Sequence, residues 1–262
     1  ATPDAGNELL YREDEDGDWR VVSEWEHEDA HAAVYGFDAD NTGVLLADPR
    51  GADTQRLVRL DPHSGERKAL LADEGYDAHT HYGLLRDPQT HRPLAVSINR
   101  VKLEWRALDE AVADDLAKLE GRFPEAWLAV SDQSRDNRTW LVMVNEPRKA
   151  VGYYRYNRAD GKLSELFKAY PQLEDYELAE MKPVQFTARY GRRIEDYLSL
   201  PPGVEPAKLP LVLLVHGGPQ ARDDYGYDPM AQWLANRGYA VLQVNYRGSA
   251  GYGKAHRHAG NK

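Results

Sequence analysis

Leu211-Val212-Leu213-Leu214-Val215-His216-Gly217-Gly218-Pro219 is a run of five apolar residues that breaks on a His-Gly-Gly-Pro turn. An unbroken apolar run closed by turn residues predicts a strand buried on both faces, as strands of a parallel sheet are. A helix is expected next, over Pro229 to Arg237. Asp228 suits its N-cap, Pro229 its first position and Gly238 its left-handed stop. Met230, Trp233 and Leu234 would form its apolar face. A second apolar run, Tyr239 to Val244, predicts another buried strand. It leads into Asn245-Tyr246-Arg247-Gly248-Ser249-Ala250-Gly251-Tyr252-Gly253, and Lys254 to Lys262 reads as the start of a further helix. Strand, crossover helix, strand is the unit from which mainly parallel sheets are built.

Upstream of Leu211 the chain is stiffened by Pro201-Pro202-Gly203, Pro206 and Pro210. Before these prolines, Val184–Tyr190 and Arg193–Leu200 alternate apolar and polar residues around Tyr190-Gly191-Arg192, the pattern of an antiparallel pair.

A different regularity occupies residues 1–183. The strand-like run Gly43–Asp48, moved on by 48 residues, lands on Pro93-Leu94-Ala95-Val96, and moved again on Leu141-Val142-Met143-Val144. Val58–Asp61 maps in the same way onto Arg106–Asp109 and Tyr154–Asn157. The first unit holds strands near Ala33–Phe37, Val44–Asp48, Leu57–Asp61 and Lys68–Leu71, separated by Asp/Asn/Pro/Gly turns. Four short strands per unit of 40 to 50 residues is the signature of a propeller blade. The second unit lacks a fourth strand. From Leu108 to Leu119 its apolar residues take helical spacing instead, predicting a helical insertion. A hairpin, Glu8–Arg12 with Trp19–Trp25, precedes the first unit, so about three and a half blades are expected.

The composition restricts function. With 43 acidic against 33 basic residues the formal charge is -10, which repels nucleic acid and anionic membranes. No apolar run approaches the ~20 residues of a membrane-spanning helix. There is no cysteine, which excludes disulfides, thiolate catalysis and zinc–thiolate sites. The first residues, Ala1-Thr2-Pro3-Asp4, have no signal-peptide pattern and no Met.

Leu211–Pro219, Trp233–Val241 and Asn245–Gly253, taken together, resemble the prolyl oligopeptidase family, and most closely its acylaminoacyl peptidases and bacterial dipeptidyl peptidases. The resemblance implies a mixed fold, a β-propeller followed by an α/β-hydrolase domain. Here that would be a partial propeller over residues 1–183 and the N-terminal part of the hydrolase domain over 184–262. It also implies a serine peptidase that cleaves short peptides through an acyl-enzyme, with no cofactor and no metal. The family's serine sits on a Gly-x-Ser-x-Gly elbow after the fifth sheet strand. No such elbow occurs in this sequence. The expectation is therefore a partial chain that ends before the nucleophile, with the triad elsewhere and no hydrolase activity of its own. Arg247-Gly248-Ser249-Ala250-Gly251 comes nearest to the motif. Arg247 replaces its first glycine, and it follows the fourth strand, so Ser249 is read as shaping a turn.

The chain's own contribution to catalysis would be an oxyanion hole, in which backbone N–H groups stabilise the charge on a reacting carbonyl oxygen. In the acylaminoacyl peptidase pattern the second glycine after the histidine donates, which places that role on Gly218, with Gly217 and His216 shaping the turn. The tyrosine that serves as a donor in some relatives falls on His216 here. Arg247 is expected to pair with an acid and hold its loop, or else to touch substrate, and Tyr225 and Tyr227 to line the cleft.

Other patterns are set aside. His79-Thr80-His81 and His256-Arg257-His258 lack a carboxylate set at metal-binding spacing. Asp14–Asp18 lacks the closing Glu of an EF-hand, and the glycine-rich Gly248–Gly253 lacks the Lys-Ser/Thr of a phosphate loop. Two other readings share the motifs: an esterase or acylamino-acid hydrolase of the same fold, and a non-catalytic propeller module that binds a partner. The sequence is compatible with a homo-oligomer and with either the cytoplasm or the periplasm.

Overall fold

The computed structural model describes residues 2–29, 31–78 and 82–261. The chain opens with the hairpin β1 (Asn7–Tyr11) and β2 (Arg20–Trp25). Three antiparallel sheets follow. The first contains, in order, β3 (Ala33–Phe37), β4 (Val44–Asp48), β5 (Arg56–Leu60) and β6 (Arg67–Leu71). The second has β7 (Leu84–Arg86), β8 (Pro93–Asn99) and β9 (Leu103–Ala107), then α1 (Glu110–Arg122) where a fourth strand would run. The third has β10 (Trp127–Gln133), β11 (Thr139–Asn145), β12 (Gly152–Asn157) and β13 (Lys162–Lys168). The three copies of the sequence repeat fall on these three sheets, and the helical spacing after Leu108 falls on α1.

The sheets are joined by tryptophans, each with its indole N–H satisfied across a boundary. Trp25 of the hairpin donates to Asp48 Oδ1 at 2.9 Å, and Trp105 donates to the Leu128 carbonyl of the next sheet at 2.8 Å. α1 is capped by Asp109, whose Oδ1 accepts from Ala111 N at 2.7 Å. Its Val112, Leu116 and Leu119 enter a core with Trp140, Val142 and Tyr156 of the third sheet. Asp115 of α1 is buried there, but it is paired: it accepts from Tyr156 OH at 2.7 Å and from Arg158 Nε at 2.8 Å. A buried carboxylate without such partners would be costly.

The fourth sheet is mixed. β14 (Glu180–Thr187), β15 (Arg193–Leu200), β16 (Leu211–Leu214) and β17 (Ala240–Val244) are ordered β14-β15-β17-β16. β16 and β17 are parallel, the other pairs antiparallel, and α2 (Pro229–Ala235) forms the crossover. α3 (Lys254–His258) is the last element.

Three expectations need correction. The strand expected over Val184–Tyr190 is β14, which runs from Glu180 to Thr187. β14 is an edge strand of its sheet, the position in which a sheet tolerates a proline such as Pro183. β16 is not buried on both faces: Leu211 and Leu213 are 59% and 57% exposed, because the strand lies at the other edge and α2 covers one face only. Met230 and Trp233 do not face the sheet either. Ala231, Gln232 and Ala235 do, since the small residues let the helix approach and Gln232 satisfies buried backbone. Its Oε1 accepts from Ala179 N at 2.8 Å, and its Nε2 donates to the carbonyls of Pro147 and Ala179, both at 2.9 Å. The His79-Thr80-His81 pattern lies outside the described residues.

Candidate functional site

The apolar register of β16 ends at Leu214, and the backbone then turns sharply through His216, Gly217 and Gly218. Gly218 has φ +132°, and a Cβ there would lie 2.7 Å from Gln220 N and 2.9 Å from Ala221 N. Only glycine fits such a position. Gly217 is different: a Cβ there would meet nothing within 4 Å. Neither glycine's N–H donates a hydrogen bond among the described residues. The Gly218–Pro219 peptide is cis.

This turn is held by the residues that follow the parallel neighbour β17. Tyr246 OH donates to the His216 carbonyl at 2.9 Å, and the two rings stack with centroids 4.5 Å apart and planes 14° from parallel. The N–H of Ala250 donates to the Ala221 carbonyl at 2.9 Å. Asn245 clasps the backbone of Asp223 from both sides: its Oδ1 accepts from Asp223 N at 2.8 Å, and its Nδ2 donates to Asp223 O at 3.1 Å. Asn245 is fixed in turn by its own N–H, which donates to Asp196 Oδ1 at 3.0 Å. His216 Nδ1 lies 2.9 Å from the Gly217 carbonyl and Nε2 lies 2.8 Å from Ser249 Oγ. A carbonyl can only accept, so Nδ1 carries the proton. In that tautomer Nε2 accepts from the Ser249 hydroxyl.

The segment after the turn bolts the mixed sheet onto the earlier ones. Arg222, with its side chain 7% exposed, donates to the carbonyls of Asn99 at 2.8 Å and Arg100 at 3.0 Å and pairs with Asp224 at 3.2 Å. Its guanidinium sits 4.5 Å from the Tyr252 ring centroid. Further on, Lys254 N and Ala255 N donate to Asp53 O and Asp53 Oδ1, at 2.8 and 2.7 Å, which caps α3 from the first sheet. Asp53 comes so close that a Cβ on Gly253 would lie 2.6 Å from its Oδ2. The glycine-rich Gly248–Gly253 thus serves docking of one part of the chain on another.

Between these contacts lies a cleft of about 440 Å³, lined by Gln55, Asp77, Asn99, Gln220, Arg222 and Arg257 among others. His31 also lines it; burial, and then the Arg257 charge, lower its pKa to about 4, so it is neutral at pH 7. Burial pushes the Asp77 carboxyl up and the Arg257 guanidinium down. Beneath the turn, Asp196 is 1% exposed. Its pKa is raised to about 6, chiefly by burial and further by the charges of Glu195 and Asp223, against the lowering effect of the Asn245 N–H.

That shift sets a pH dependence. A carboxyl whose folded pKa is raised contributes stability below its ordinary pKa of 3.8, and this is lost as pH rises through about 6. Asp196→Asn keeps the acceptor for Asn245 without the charge. It is expected to stabilise the protein at pH 7.5, by at most about 3 kcal/mol at ~1.4 kcal/mol per unit, and to lose that advantage by pH 4. Thermal unfolding of both proteins across pH 4 to 8 checks this, and an advantage that did not change with pH would refute it.

His216, Gly217, Gly218 and Ser249 therefore come together. Tyr225, Tyr227 and Arg247 do not join them. Tyr225 is 6% exposed in a core with Trp127, Met181 and Tyr197, and its backbone carbonyl accepts from Trp127 Nε1. Its pKa is pushed up to about 12, first by burial. Tyr227 packs against Tyr170 with ring centroids 6.1 Å apart. Arg247 is exposed, makes no ion pair among the described residues, and lines a separate groove with Phe186 and Tyr190. Its expected acidic partner is not found among the described residues; Asp196, the carboxylate beneath the strand end, accepts from the Asn245 N–H instead. His256 is buried on α3, and its Nε2 donates to the Tyr246 carbonyl at 2.9 Å. Sequence reading missed Arg222, Asn245 and Tyr246. The available signal was the polar pair Asn245-Tyr246 standing directly at the end of a buried strand.

What the arrangement offers chemically is a turn with two backbone N–H groups that find no acceptor among the described residues, beside a polar cleft. Residues 225–262 match the model of the prolyl oligopeptidase family. Over 99% of its length the chain is 40% identical to dipeptidyl aminopeptidase BIII of Pseudoxanthomonas mexicana. It is 32% identical over 95% of its length to dipeptidyl peptidase family member 6 of Caenorhabditis elegans. The chain spans 38% of the length of the first and 36% of the second. In fold it matches a puromycin-hydrolysing peptidase of Mycobacterium tuberculosis with a TM-score of 0.68, at 22% identity, over 98% of this chain and 40% of that one.

Proposed function

Because the chain belongs to the prolyl oligopeptidase family, we propose that it is the propeller-side and oxyanion-side part of a serine peptidase acting on short peptides through an acyl-enzyme. The observation that carries this is the His216–Gly218 turn, with free N–H groups on Gly217 and Gly218 and a strained glycine conformation at Gly218. The hairpin and the three antiparallel sheets would be blades of a propeller. The mixed sheet, from Glu180 onward, would begin an α/β-hydrolase domain. Gly218 N–H would donate to the carbonyl oxygen as it gains charge, and the cleft between the sheets and the turn would receive the peptide. Such a donor is worth ~2.7–4 kcal/mol in the transition state. The sequence holds no Gly-x-Ser-x-Gly elbow, and the relatives are more than twice as long. The nucleophile, aspartate and histidine would then lie in a longer protein outside these 262 residues.

Treating the natural host's extract with a fluorophosphonate probe and mapping the labelled serine tests this directly. The expected result is a labelled protein heavier than 29.7 kDa, with the label outside the 262 residues. A protein of 29.7 kDa with no label would overturn the reading and favour a binding module.

A further inference from the structure

Ser249 is the residue for which the peptidase reading gives no use, yet it makes a specific bond. It lies 33 positions beyond His216, is 0% exposed, and its hydroxyl donates to His216 Nε2 at 2.8 Å. A serine bonded to an imidazole is also the geometry of a nucleophile and its base. Burial excludes that role here, since no substrate carbonyl reaches a fully covered Oγ. The other ring nitrogen closes the bond back on the turn, at the Gly217 carbonyl. The chain of contacts therefore runs from Ser249 through the imidazole to the peptide plane that joins Gly217 to Gly218. That plane contains the Gly218 N–H itself.

We propose that Ser249 is a positioning residue for the oxyanion turn: by holding the His216 ring, its hydroxyl fixes the direction of the Gly218 N–H. The claim rests on the reading of this turn as an oxyanion hole. Three features give the serine its leverage. The backbone N–H of Ser249 donates to the Tyr246 carbonyl at 2.9 Å, so Ser249 belongs to the same tight turn as the tyrosine that stacks on His216. Ala250, its neighbour, donates to Ala221 beyond the far end of the glycine turn. Gly248, with φ +107°, lets the backbone double back, and it lies against Gly260, whose Cα would be 3.4 Å from an added Cβ. Without the hydroxyl, Nε2 loses its partner and the ring can rotate about its side-chain bonds. The carbonyl of Gly217 is then released and the peptide plane follows.

The test uses the full-length protein, unlabelled for kinetics and 15N-labelled for spectroscopy, each as wild type, Ser249→Ala and Ser249→Thr. With a peptide p-nitroanilide, Ser249→Ala is expected to lower kcat by about 10- to 100-fold, as a misaligned donor does, with KM within about twofold. Ser249→Thr, which keeps the hydroxyl, recovers most of the rate. In the NMR spectra the amides of Gly217 and Gly218 and the His216 ring nitrogens shift in Ser249→Ala and return in Ser249→Thr. An unchanged kcat, or glycine amides that do not move, would overturn the proposal. Loss of fluorophosphonate labelling in a folded Ser249→Ala protein would also overturn it, by making Ser249 the nucleophile. Should Ser249→Ala fail to fold, Ser249→Cys keeps the size with a weaker donor and is read in the same way. A wild-type protein that hydrolyses nothing would sink the peptidase reading, and the glycine amides would still decide the role of Ser249.

Discussion

Gly218→Ala is expected to lower kcat/KM of the full-length protein by about 10²- to 10³-fold, the cost of one lost oxyanion donor, while Gly217→Ala remains within about tenfold of wild type. The two glycines are adjacent, and composition or motif gives no reason to separate them. Their surroundings do. A methyl group on Gly218 would sit 2.7 Å from the N of Gln220 and 2.9 Å from the N of Ala221, and both of those are backbone atoms, which cannot swing aside. The backbone at φ +132° is also one that L-residues avoid. Alanine at 218 therefore forces the turn open and redirects its N–H. At Gly217 a methyl group meets nothing within 4 Å, so the backbone keeps its course and only the space above the turn is reduced. Steady-state kinetics of both variants decide the matter. Equal losses in the two, or a Gly218→Ala enzyme as active as wild type, would exclude Gly218 from the role.

Arg222→Ala is expected to destabilise the protein by about 3–5 kcal/mol, the range for removing one partner of a buried ion pair. The side chain is 7% exposed, and its loss leaves the carbonyls of Asn99 and Arg100 without their donors and Asp224 without its partner cation. The face of Tyr252 loses its cation as well. Arg222→Lys keeps the charge but cannot reach two carbonyls and a carboxylate at once from a planar fork, so it should fall between the two. Urea unfolding, followed by tryptophan fluorescence, measures this. A loss under ~1 kcal/mol for the alanine variant, the level of an exposed pair, would show that the contact is not what holds the mixed sheet against the second antiparallel sheet.

How far the structure could be read in advance follows from the range of the interactions concerned. The strands Val44–Asp48, Pro93–Asn99 and Thr139–Asn145 were legible because alternation and turn residues act over a few positions, and the repeat supplied three views of one pattern. α1 was legible for the same reason: Val112, Leu116 and Leu119 mark one face, while its cap, Asp109, emerged only in the structure. Burial on both faces was not. The run Leu211–Val215 looks the same in a central strand and an edge strand, and its exposure depends on which elements lie beside it. Trp233 and Gln232 show the same limit: hydrophobicity favours the tryptophan, while the unmet carbonyls of Pro147 and Ala179 draw the glutamine inward. In the site, His216–Gly218 was readable as a turn, because glycines directly after an apolar run mark one. Tyr225 was misplaced because its destination is set by Trp127, 98 positions away. Ser249 was correctly assigned to a turn, but its bond to His216 joins two loops that only the parallel pairing of β16 and β17 brings together.

The clasp formed by Asn245, Tyr246, Ser249 and Ala250 has a consequence for how this protein can change over time. Its bonds run between the same two loops and stand or fall together, so their contributions are not independent. A replacement at His216 alters what is tolerated at Tyr246 and Ser249, and one at Asp223 alters what is tolerated at Asn245. Changes in residues 216–223 are therefore expected to be tolerated only with matching changes in residues 245–250, although α2 and β17 separate the two loops in the chain.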